Sequence, residues 1–406
     1  MTAIESLLLL WLWGAASPSS LFPAAGESCL ASSLVAALGR DRLMLGGTFD
    51  DQIASRAPFD VRYHYLAGGL PESNGPCASC SQECHQEDWW GCWQDRSAPP
   101  GKYLRDFVGH ARKRGQLPFI TYYEWLHLSR AEEGVAEVKA LRDRAMAARY
   151  FADFRFMLQQ LGGERALLHL EPDLWGYAQQ TNKRPAQIPA AVASANPTDC
   201  AGLPDTLAGL GRCLIKMVRT YAPAARVGLQ ASAWSTNVDV MQNRDPALDV
   251  VHHARKTAAF LREAGAGEGD FIVVEASDRD AGFYAAQGKD GWWDASDATL
   301  PNFRQAFAWA KALSEELRLP NLWWQLPLGH AGLGDRPGSW RDNRVDYFLS
   351  HPKRVVASHG VAMLFGAGAS DQTEPSTDRG HFVARAKKYF SGDRPRICPE
   401  PGMDSN

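Results

Sequence analysis

The segment Ala166–Tyr177, ALLHLEPDLWGY, is the most informative stretch of the chain. Its first five residues are apolar apart from one histidine and predict a short buried strand. That strand ends in Glu171 and Asp173, separated by a proline, and Trp175 and Tyr177 follow directly. Two carboxyl groups beside aromatic rings at a strand end suit a site that binds a sugar and transfers protons.

Seven other segments repeat this arrangement, an apolar run that ends in polar or aromatic residues. Helix-like segments separate most of them, at about 103–114, 136–161, 207–221, 250–264 and 303–317. Eight alternations of strand and helix predict an α/β fold, a (β/α)8 TIM-type barrel, whose active sites lie at the carboxyl ends of the strands. A doubly wound open sheet is the alternative. The predicted strands are 43–49, 61–66, 117–123, 166–170, 226–231, 271–275, 322–326 and 361–365.

The 406 residues divide into three predicted parts. Residues 1–26 are typical of a signal peptide, because a short apolar run at Leu7–Trp13 precedes several small residues. The departure from that pattern is Glu5, with no lysine or arginine before the apolar run. Residues 27–398 suit a single barrel domain, and the polar residues 399–406 are expected to form a frayed tail.

The eight cysteines indicate an oxidising compartment and therefore a secreted protein, extracellular or periplasmic. Four of them, Cys77, Cys80, Cys84 and Cys92, predict an elaborated, disulfide-rich loop after strand 2 that holds two bridges. Zinc is the rival interpretation, since Cys77 and Cys80 form a C-x-x-C motif with a histidine nearby, but there is no second such motif.

The other four cysteines suggest two further bridges. Cys200 and Cys213 flank a short insertion, so we expect them to pair. Cys29 and Cys398 lie near the two ends of the predicted domain, and we expect a bridge between them as well.

Charge and composition narrow the possible partners. The formal net charge of −3 gives no electrostatic reason to expect binding to nucleic acid or to an anionic membrane surface. No segment after the leader is long and apolar enough to cross a bilayer. A monomer without a cofactor is expected.

Acidic residues at two strand ends are the candidate catalytic groups. Strand 4 supplies Glu171 and Asp173, and strand 6 supplies Glu275, Asp278 and Asp280. Residues two apart on a strand share a face, so the first two would point together if the strand persisted. Strands 4 and 6 are two apart in the ring, so their ends would face each other across the barrel mouth. Glycosidic hydrolysis requires such a pair, one acid to protonate the leaving group and one carboxylate as nucleophile or base.

The alternative for any one of these acids is a structural role. Each of them would then cap the helix that follows it or pair with Arg279 or Arg344. Asp51, Glu124 and Tyr123, at the ends of strands 1 and 3, are second-rank candidates.

Candidate substrate-binding residues lie near several strand ends, because a flat aromatic ring stacks on the apolar face of a pyranose. Gln325 ends strand 7, where many retaining barrel glycosidases place their nucleophile. Trp323 and Trp324 must face opposite sides of that strand, so one of them is expected in the core. The candidates are Trp175, Tyr177, Tyr122, Glu124, Trp234, Trp324, Gln325, His330 and Asp50.

A metal site is the less favoured interpretation of strand 4. His169, Glu171 and Asp173 alternate along the chain and are all possible ligands. No second histidine lies at a familiar metal-binding spacing, so no metal ligands are assigned.

Four short motifs resemble those of the cellobiohydrolase and endoglucanase family of inverting cellulases. The family's E-P-D motif, whose aspartate is the general acid, is similar to Glu171–Asp173. Its D-R-D motif, whose second aspartate supports that acid, is similar to Asp278–Asp280, and two more motifs are similar to Ser235–Val238 and Gly329–Gly332. The order of the two acidic motifs is reversed in this chain. The resemblance implies that Asp173 ranks with Glu171 as general acid and that Asp280 supports it.

The sequence thus favours a secreted (β/α)8 glycoside hydrolase that cleaves a polysaccharide or oligosaccharide by carboxylate general acid and base catalysis. Two alternatives remain at this stage. One is a carbohydrate-binding barrel protein without catalysis, for which Gln325 is the best argument, and the other is a metal-dependent hydrolase.

Overall fold

The computed structural model describes residues 29–71, 76–81, 84, 89–181 and 183–398, so the predicted signal peptide and tail lie outside the described residues. Eight parallel strands form a closed barrel in chain order, with β8 paired to β1, and the predicted (β/α)8 barrel is confirmed. The strands are β1 (Met44–Gly47), β2 (Val61–Ala67), β3 (Leu117–Tyr123), β4 (Leu167–Leu170), β5 (Arg226–Ala231), β6 (Phe271–Glu275), β7 (Asn321–Leu326) and β8 (Gly360–Phe365).

Helices surround the barrel and connect its strands. One predicted helix, 136–161, is two helices, because Asp143 accepts a hydrogen bond from the Met146 amide and starts a new helix there. The helices are α1 (Ser32–Leu38), α2 (Asp51–Ala54), α3 (Lys102–Lys113), α4 (Trp125–Ser129), α5 (Val135–Ala140), α6 (Arg144–Leu161), α7 (Leu174–Gln180), α8 (Leu207–Tyr221), α9 (Val250–Glu263), α10 (Ala281–Ala286), α11 (Phe303–Leu317), α12 (Arg344–Ser350), α13 (Pro352–Ala357) and α14 (His381–Ser391).

The apolar strand residues divide between two cores, because successive side chains on a strand point to opposite faces. Trp323 packs outward against Phe307 and Phe348, whereas Trp324 points into the barrel. The inner core also contains Leu34 of α1, which covers the amino-terminal end of the barrel. Because α1 covers the amino-terminal end of the barrel, the open mouth is at the carboxyl ends of the strands.

All eight cysteines form disulfides, which confirms the predicted oxidation state. The predicted bridges Cys200–Cys213 and Cys29–Cys398 are present. The loop after β2 holds two more, as expected, and their partners are Cys77 with Cys84 and Cys80 with Cys92. The cysteines of the zinc alternative are therefore bonded to each other. Four disulfides indicate an oxidising environment.

The disulfide-rich loop is anchored on a buried carboxylate of α6. The indole N–H groups of Trp89 and Trp90 each donate to Asp153 at 2.8 Å, and the Tyr122 hydroxyl donates to it at 2.7 Å.

Among the described residues, no helix has the length and apolar character needed to cross a membrane.

Candidate active site

A cavity of about 590 Å³ opens beside the carboxyl ends of β4, β5 and β6. It is lined by five residues that the sequence analysis selected, Asp173, Tyr177, Trp234, Glu275 and Asp278. The structure therefore brings acids from β4 and β6 together with two aromatic residues. The lining residues that sequence reasoning missed include Glu133, Gln180, Asp239, Arg279, Tyr284 and Asp290.

The backbone separates the two acids that follow β4. Glu171 and Asp173 both adopt left-handed conformations, with φ of 48° and 68°. Such values are uncommon for residues other than glycine, and they break the strand alternation that would place both side chains on one face. Asp173 consequently lines the cavity, where it accepts a hydrogen bond of 2.8 Å from the Gln230 side-chain amide.

Glu171 lies in the protein interior, outside the cavity. Its carboxylate is fully buried and accepts hydrogen bonds from the backbone amides of Glu124 and Trp125. Glu124 and Asp153 are buried nearby, and Glu137 also interacts electrostatically with Glu171. We call Glu124, Glu137, Asp153 and Glu171 the buried acid cluster.

Burial and repulsion from neighbouring acids favour the protonated forms of Asp173 and Glu275. Burial, Glu133 and Asp278 raise the pKa of Asp173 to about 7. Burial raises the pKa of Glu275 well above its usual range, and repulsion from Asp173 and Asp278 adds to the effect. Carboxyl groups of this kind can donate a proton near neutral pH.

Asp278 has a different environment from Asp173 and Glu275. It forms an ion pair with Arg279 and accepts a hydrogen bond of 2.6 Å from the Tyr284 hydroxyl. No hydrogen bond or ion pair to the Glu275 carboxyl group is present among the described residues. Asp278 and Asp173 are thus held by hydrogen bonds, while the Glu275 carboxyl group is available to a bound molecule.

The aromatic side of the cavity is formed by Tyr177 and Trp234, whose ring centres are 4.7 Å apart. Gly176 makes this arrangement possible, because a Cβ atom there would lie 2.6 Å from the Trp234 ring. Gln180 of the same helix donates to the Trp234 carbonyl at 3.2 Å and keeps the two segments together.

Asp280 and His330, also expected at the site, do not line the cavity. Asp280 is buried and accepts hydrogen bonds of 2.8 Å from the backbone amides of Gly329 and Thr373. It therefore joins the segments after β7 and β8. His330 stacks on His381, with ring centres 4.2 Å apart, on the outer side of these segments.

Three further candidates at or after the ends of β3 and β4 are also buried: Trp175, Tyr122 and Glu124. The Trp175 indole donates to the Leu170 carbonyl at 2.9 Å, and the side chain is 1% exposed. Tyr122 is bonded to Asp153, and the Glu124 carboxyl group is enclosed without a hydrogen-bond partner among the described residues. These groups cannot contact a molecule in the cavity as the structure stands.

The remaining substrate-binding candidates, Trp324, Gln325 and Asp50, do not line the cavity either. Trp324 lies inside the barrel, and buried Gln325 bonds to the Tyr65 hydroxyl. Asp50 caps α2 by accepting from the Ile53 amide at 2.8 Å. Asp50 therefore has the structural role of a helix cap, and Trp324 and Gln325 are buried beneath the barrel mouth.

The geometry does not support the metal interpretation of strand 4. His169 points into the barrel and contacts Trp324, whereas Glu171 lies in the buried acid cluster outside it. Among the described residues, no group of three or more histidine, cysteine or acidic side chains is arranged to hold a metal ion.

Comparisons with known proteins identify no family. No family model and no curated protein matches the chain. Among solved structures, a Cellulomonas fimi endo-β-1,4-mannanase double mutant aligns over 89% of this chain and 74% of its own, with 10% identity and a TM-score of 0.49. A GH5 xyloglucan-specific β-1,4-glucanase from a ruminal metagenomic library, in complex with XXLG, covers 88% and 90%, with 12% identity and a TM-score of 0.45.

A hyperthermostable endo-1,4-β-D-mannanase from Thermotoga petrophila, with maltose and glycerol, aligns over 86% of this chain and all of its own. Its identity is 9% and its TM-score is 0.45. Likenesses at this level concern the barrel fold and assign no activity. The resemblance to the inverting cellulases gains no support from these comparisons.

The buried acid cluster predicts that the protein becomes less stable as the pH rises. Burial raises the pKa of Glu171 and of Glu137 to about 8, and that of Asp153 to about 6. Between about pH 5 and pH 8 the folded state retains protons that the unfolded chain has released, so the free energy of unfolding falls by up to about 1.4 kcal/mol per pH unit for each such proton.

Denaturant unfolding between pH 5 and pH 8 measures this slope in the parent, in Glu171→Gln and in Glu132→Gln, an exposed control. Glu171→Gln removes one titrating proton and should flatten the slope, while the control should match the parent. A Glu171→Gln slope equal to the parental slope would contradict the assignment. The comparison is made within this pair because histidines such as His64 and His169, whose pKa values are lowered by burial, contribute the opposite slope below about pH 6.5 in both proteins.

Proposed function

We propose that this protein is a secreted glycoside hydrolase that cleaves a polysaccharide or oligosaccharide in the cavity at the ends of β4, β5 and β6. The observation that carries the proposal is the meeting of Asp173, Glu275 and Asp278 in one cavity beside Tyr177 and Trp234. Paired carboxyl groups with raised pKa values and aromatic rings are the equipment that glycosidic hydrolysis requires.

Asp173 is the proposed general acid. Its pKa of about 7 leaves a large share of the carboxyl group protonated near neutrality, so it can donate a proton to the oxygen of the departing sugar. Its Oδ1 atom accepts from Gln230, which leaves Oδ2 to carry that proton. Water then supplies the hydroxyl of the new reducing end and returns a proton to the site.

Glu275 is the proposed partner of Asp173, as base for the water or as nucleophile. It lies at the end of β6, across the mouth from β4, and repulsion from Asp173 adds to the burial that raises its pKa. Because the first ionisation of such a pair opposes the second, we propose that they share one proton near neutrality and that the reactive form has this proton on Asp173 and an ionised Glu275. Asp278 is held by Arg279 and Tyr284, and its repulsion raises the pKa of both Asp173 and Glu275.

The sugar rings would bind against Tyr177 and Trp234, with Gln180 and Gln242 as polar lining groups for hydroxyls. No cofactor is needed for this chemistry. The four disulfides and the signal-like residues 1–26 support action outside the cytoplasm, after removal of the leader.

A carbohydrate-binding protein without catalysis is the second candidate, favoured by one observation. Gln325 lies one residue before the end of β7, and its buried amide donates a hydrogen bond to the Tyr65 hydroxyl. A neutral amide cannot act as the carboxylate nucleophile of a retaining barrel enzyme. In the proposed hydrolase, the β4 and β6 acids perform the chemistry without a nucleophile from β7.

Replacing the cavity acids should reduce turnover without unfolding the protein. Asp173→Asn and Glu275→Gln nearly preserve shape, and loss of proton transfer lowers rates by about 100- to 10,000-fold. Glu171→Gln is the matched control, since Glu171 is two residues from Asp173 but outside the cavity. Initial rates on the parent's glycan, with circular dichroism to check folding, give the answer. Folded Asp173→Asn and Glu275→Gln variants that both retain the parental rate would exclude this site.

Trp234→Ala should weaken glycan binding, because it removes the ring that lines the cavity beside Tyr177. Loss of one stacking contact corresponds to about tenfold weaker affinity. Isothermal titration with Asp173→Asn as the background prevents turnover during the measurement. Trp93→Ala, in the loop after β2, is the control and should bind as the parent does. Equal affinities for the two tryptophan variants would place the sugar elsewhere.

A further inference from the structure

We propose that Gln230 and His169 are positioning residues that orient the carboxyl group of Asp173, and that they act as a chain in which His169 sets the orientation of the Gln230 amide. The inference rests on the proposed function, since it treats Asp173 as the proton donor. Neither residue lines the cavity, so neither contacts the substrate directly.

Both amide hydrogens of Gln230, on β5, are donated in hydrogen bonds. The side chain is 1% exposed, and its Nε2 atom donates to Asp173 Oδ1 at 2.8 Å and to the Ser232 hydroxyl at 3.2 Å. A flipped amide would direct its oxygen at Asp173 and lose the bond to the ionised carboxylate, whereas the Ser232 hydroxyl could donate to that oxygen. The position of Asp173 therefore depends on which way this amide points.

His169 of β4 supplies the group that selects one orientation. It is fully buried, and burial lowers its pKa to about 3, so the ring is neutral and carries a single N–H. Its Nδ1 atom is 3.3 Å from the Thr121 hydroxyl, and its side chain faces that of Gln230. The Nε2 atom of His169 and the Oε1 atom of Gln230 are buried, and neither has a hydrogen-bond partner among the described residues.

These contacts fit one tautomer. If Nε2 carries the proton, a bond from it to Gln230 Oε1 would satisfy both of these buried atoms, and Nδ1 accepts from the Thr121 hydroxyl. This tautomer stabilises the amide orientation in which Nε2 of Gln230 faces Asp173. The chain then runs from β3 through β4 and β5 to the acid, each member on a strand of the barrel.

Packing prevents the histidine ring from leaving this orientation. Its centre is 4.6 Å from the Trp324 ring and 5.9 Å from the Phe119 ring, both inside the barrel. A functional side chain held by residues on rigid strands retains its geometry better than one held by loops. Because Asp173 itself lies beyond the end of β4, in a left-handed backbone conformation, it depends on such support.

The test measures the pKa of Asp173 directly. Carbon-13 NMR of labelled aspartate carboxyl groups, assigned with Asp173→Asn, follows its titration in the parent, Gln230→Met and His169→Phe. Removing the Gln230 donor destabilises the ionised carboxylate, so the pKa of Asp173 should rise by about one unit in Gln230→Met. His169→Phe should cause a smaller rise, and His169→Gln, which retains a donor, should restore the parental value.

The groups that face Asp173 are unchanged in these variants, so the shift can be attributed to the chain. They are Glu133, Glu137, Glu275, Asp278, Tyr65, Tyr123 and Tyr177. Gln116→Met is the matched control, because Gln116 is another buried glutamine with one hydrogen bond, to the Ala54 carbonyl, at the opposite end of β3. It should lower stability without moving the pKa of Asp173.

The double variant separates a chain from two independent effects. If His169 acts through Gln230, adding His169→Phe to Gln230→Met should leave the pKa of Asp173 where Gln230→Met alone puts it. An additive shift, or no shift in either single variant, would overturn the inference.

The pH dependence of kcat/KM then tests the proposed function separately. Protonated Asp173 is the active form, so the alkaline limb should move to higher pH in Gln230→Met by the same amount as the NMR titration. An NMR shift without movement of the limb would leave the positioning chain intact and refute Asp173 as the general acid.

Discussion

The left-handed backbone at Glu171 and Asp173 is the constraint on which the rest of the site depends. It ends β4 and sends two acids, only two residues apart, into different surroundings. Glu171 enters the interior, where backbone amides from the start of α4 hold it, and Asp173 enters the cavity. A regular strand would have placed both carboxyl groups on one face, at much closer range.

The consequence is two groups of acids with different accessibility. No member of the buried acid cluster lines the cavity, although Glu137 interacts electrostatically with Asp173. The cluster lies between β3, α5 and α6, around Trp125 and Tyr150. Asp173 and Glu275 line the cavity with Tyr177 and Trp234, and burial and repulsion from neighbouring acids raise their pKa values as well. Raised pKa values alone therefore do not identify catalytic groups in this protein; access to the cavity distinguishes them.

The fold was predictable from the sequence because each strand is a short apolar run with a clear end. The bounds of β3, β5 and β6 agree with those expected, and so do those of α8 and α11. The disulfides followed from compartment and spacing. The site was predictable only in part. Asp173, Glu275 and Asp278 were selected because they follow strands, and the cavity brings them together.

The rest of the site could not be read from local patterns. Periodicity does not reveal a left-handed φ, so Glu171 was expected beside Asp173. A tryptophan just after a strand looks the same whether it lines a cavity or, like Trp175, packs in the core. Glu133 and Asp239 reach the cavity from loops, and no sequence signal connects them to strand ends. Gln230 and His169 alternate with apolar residues inside strands, where only coordinates show which side chain each one faces.

The most direct test of the proposed hydrolase is the release of new reducing ends from a panel of soluble polysaccharides and oligosaccharides by the mature, disulfide-bonded protein. The account predicts release from at least one of them, at an unchanged rate when a chelator is present, because carboxyl groups rather than a metal ion perform the chemistry. Tight binding of a glycan with no release would show a carbohydrate-binding barrel, and release abolished by the chelator would show a metal-dependent hydrolase. Either result would contradict the account.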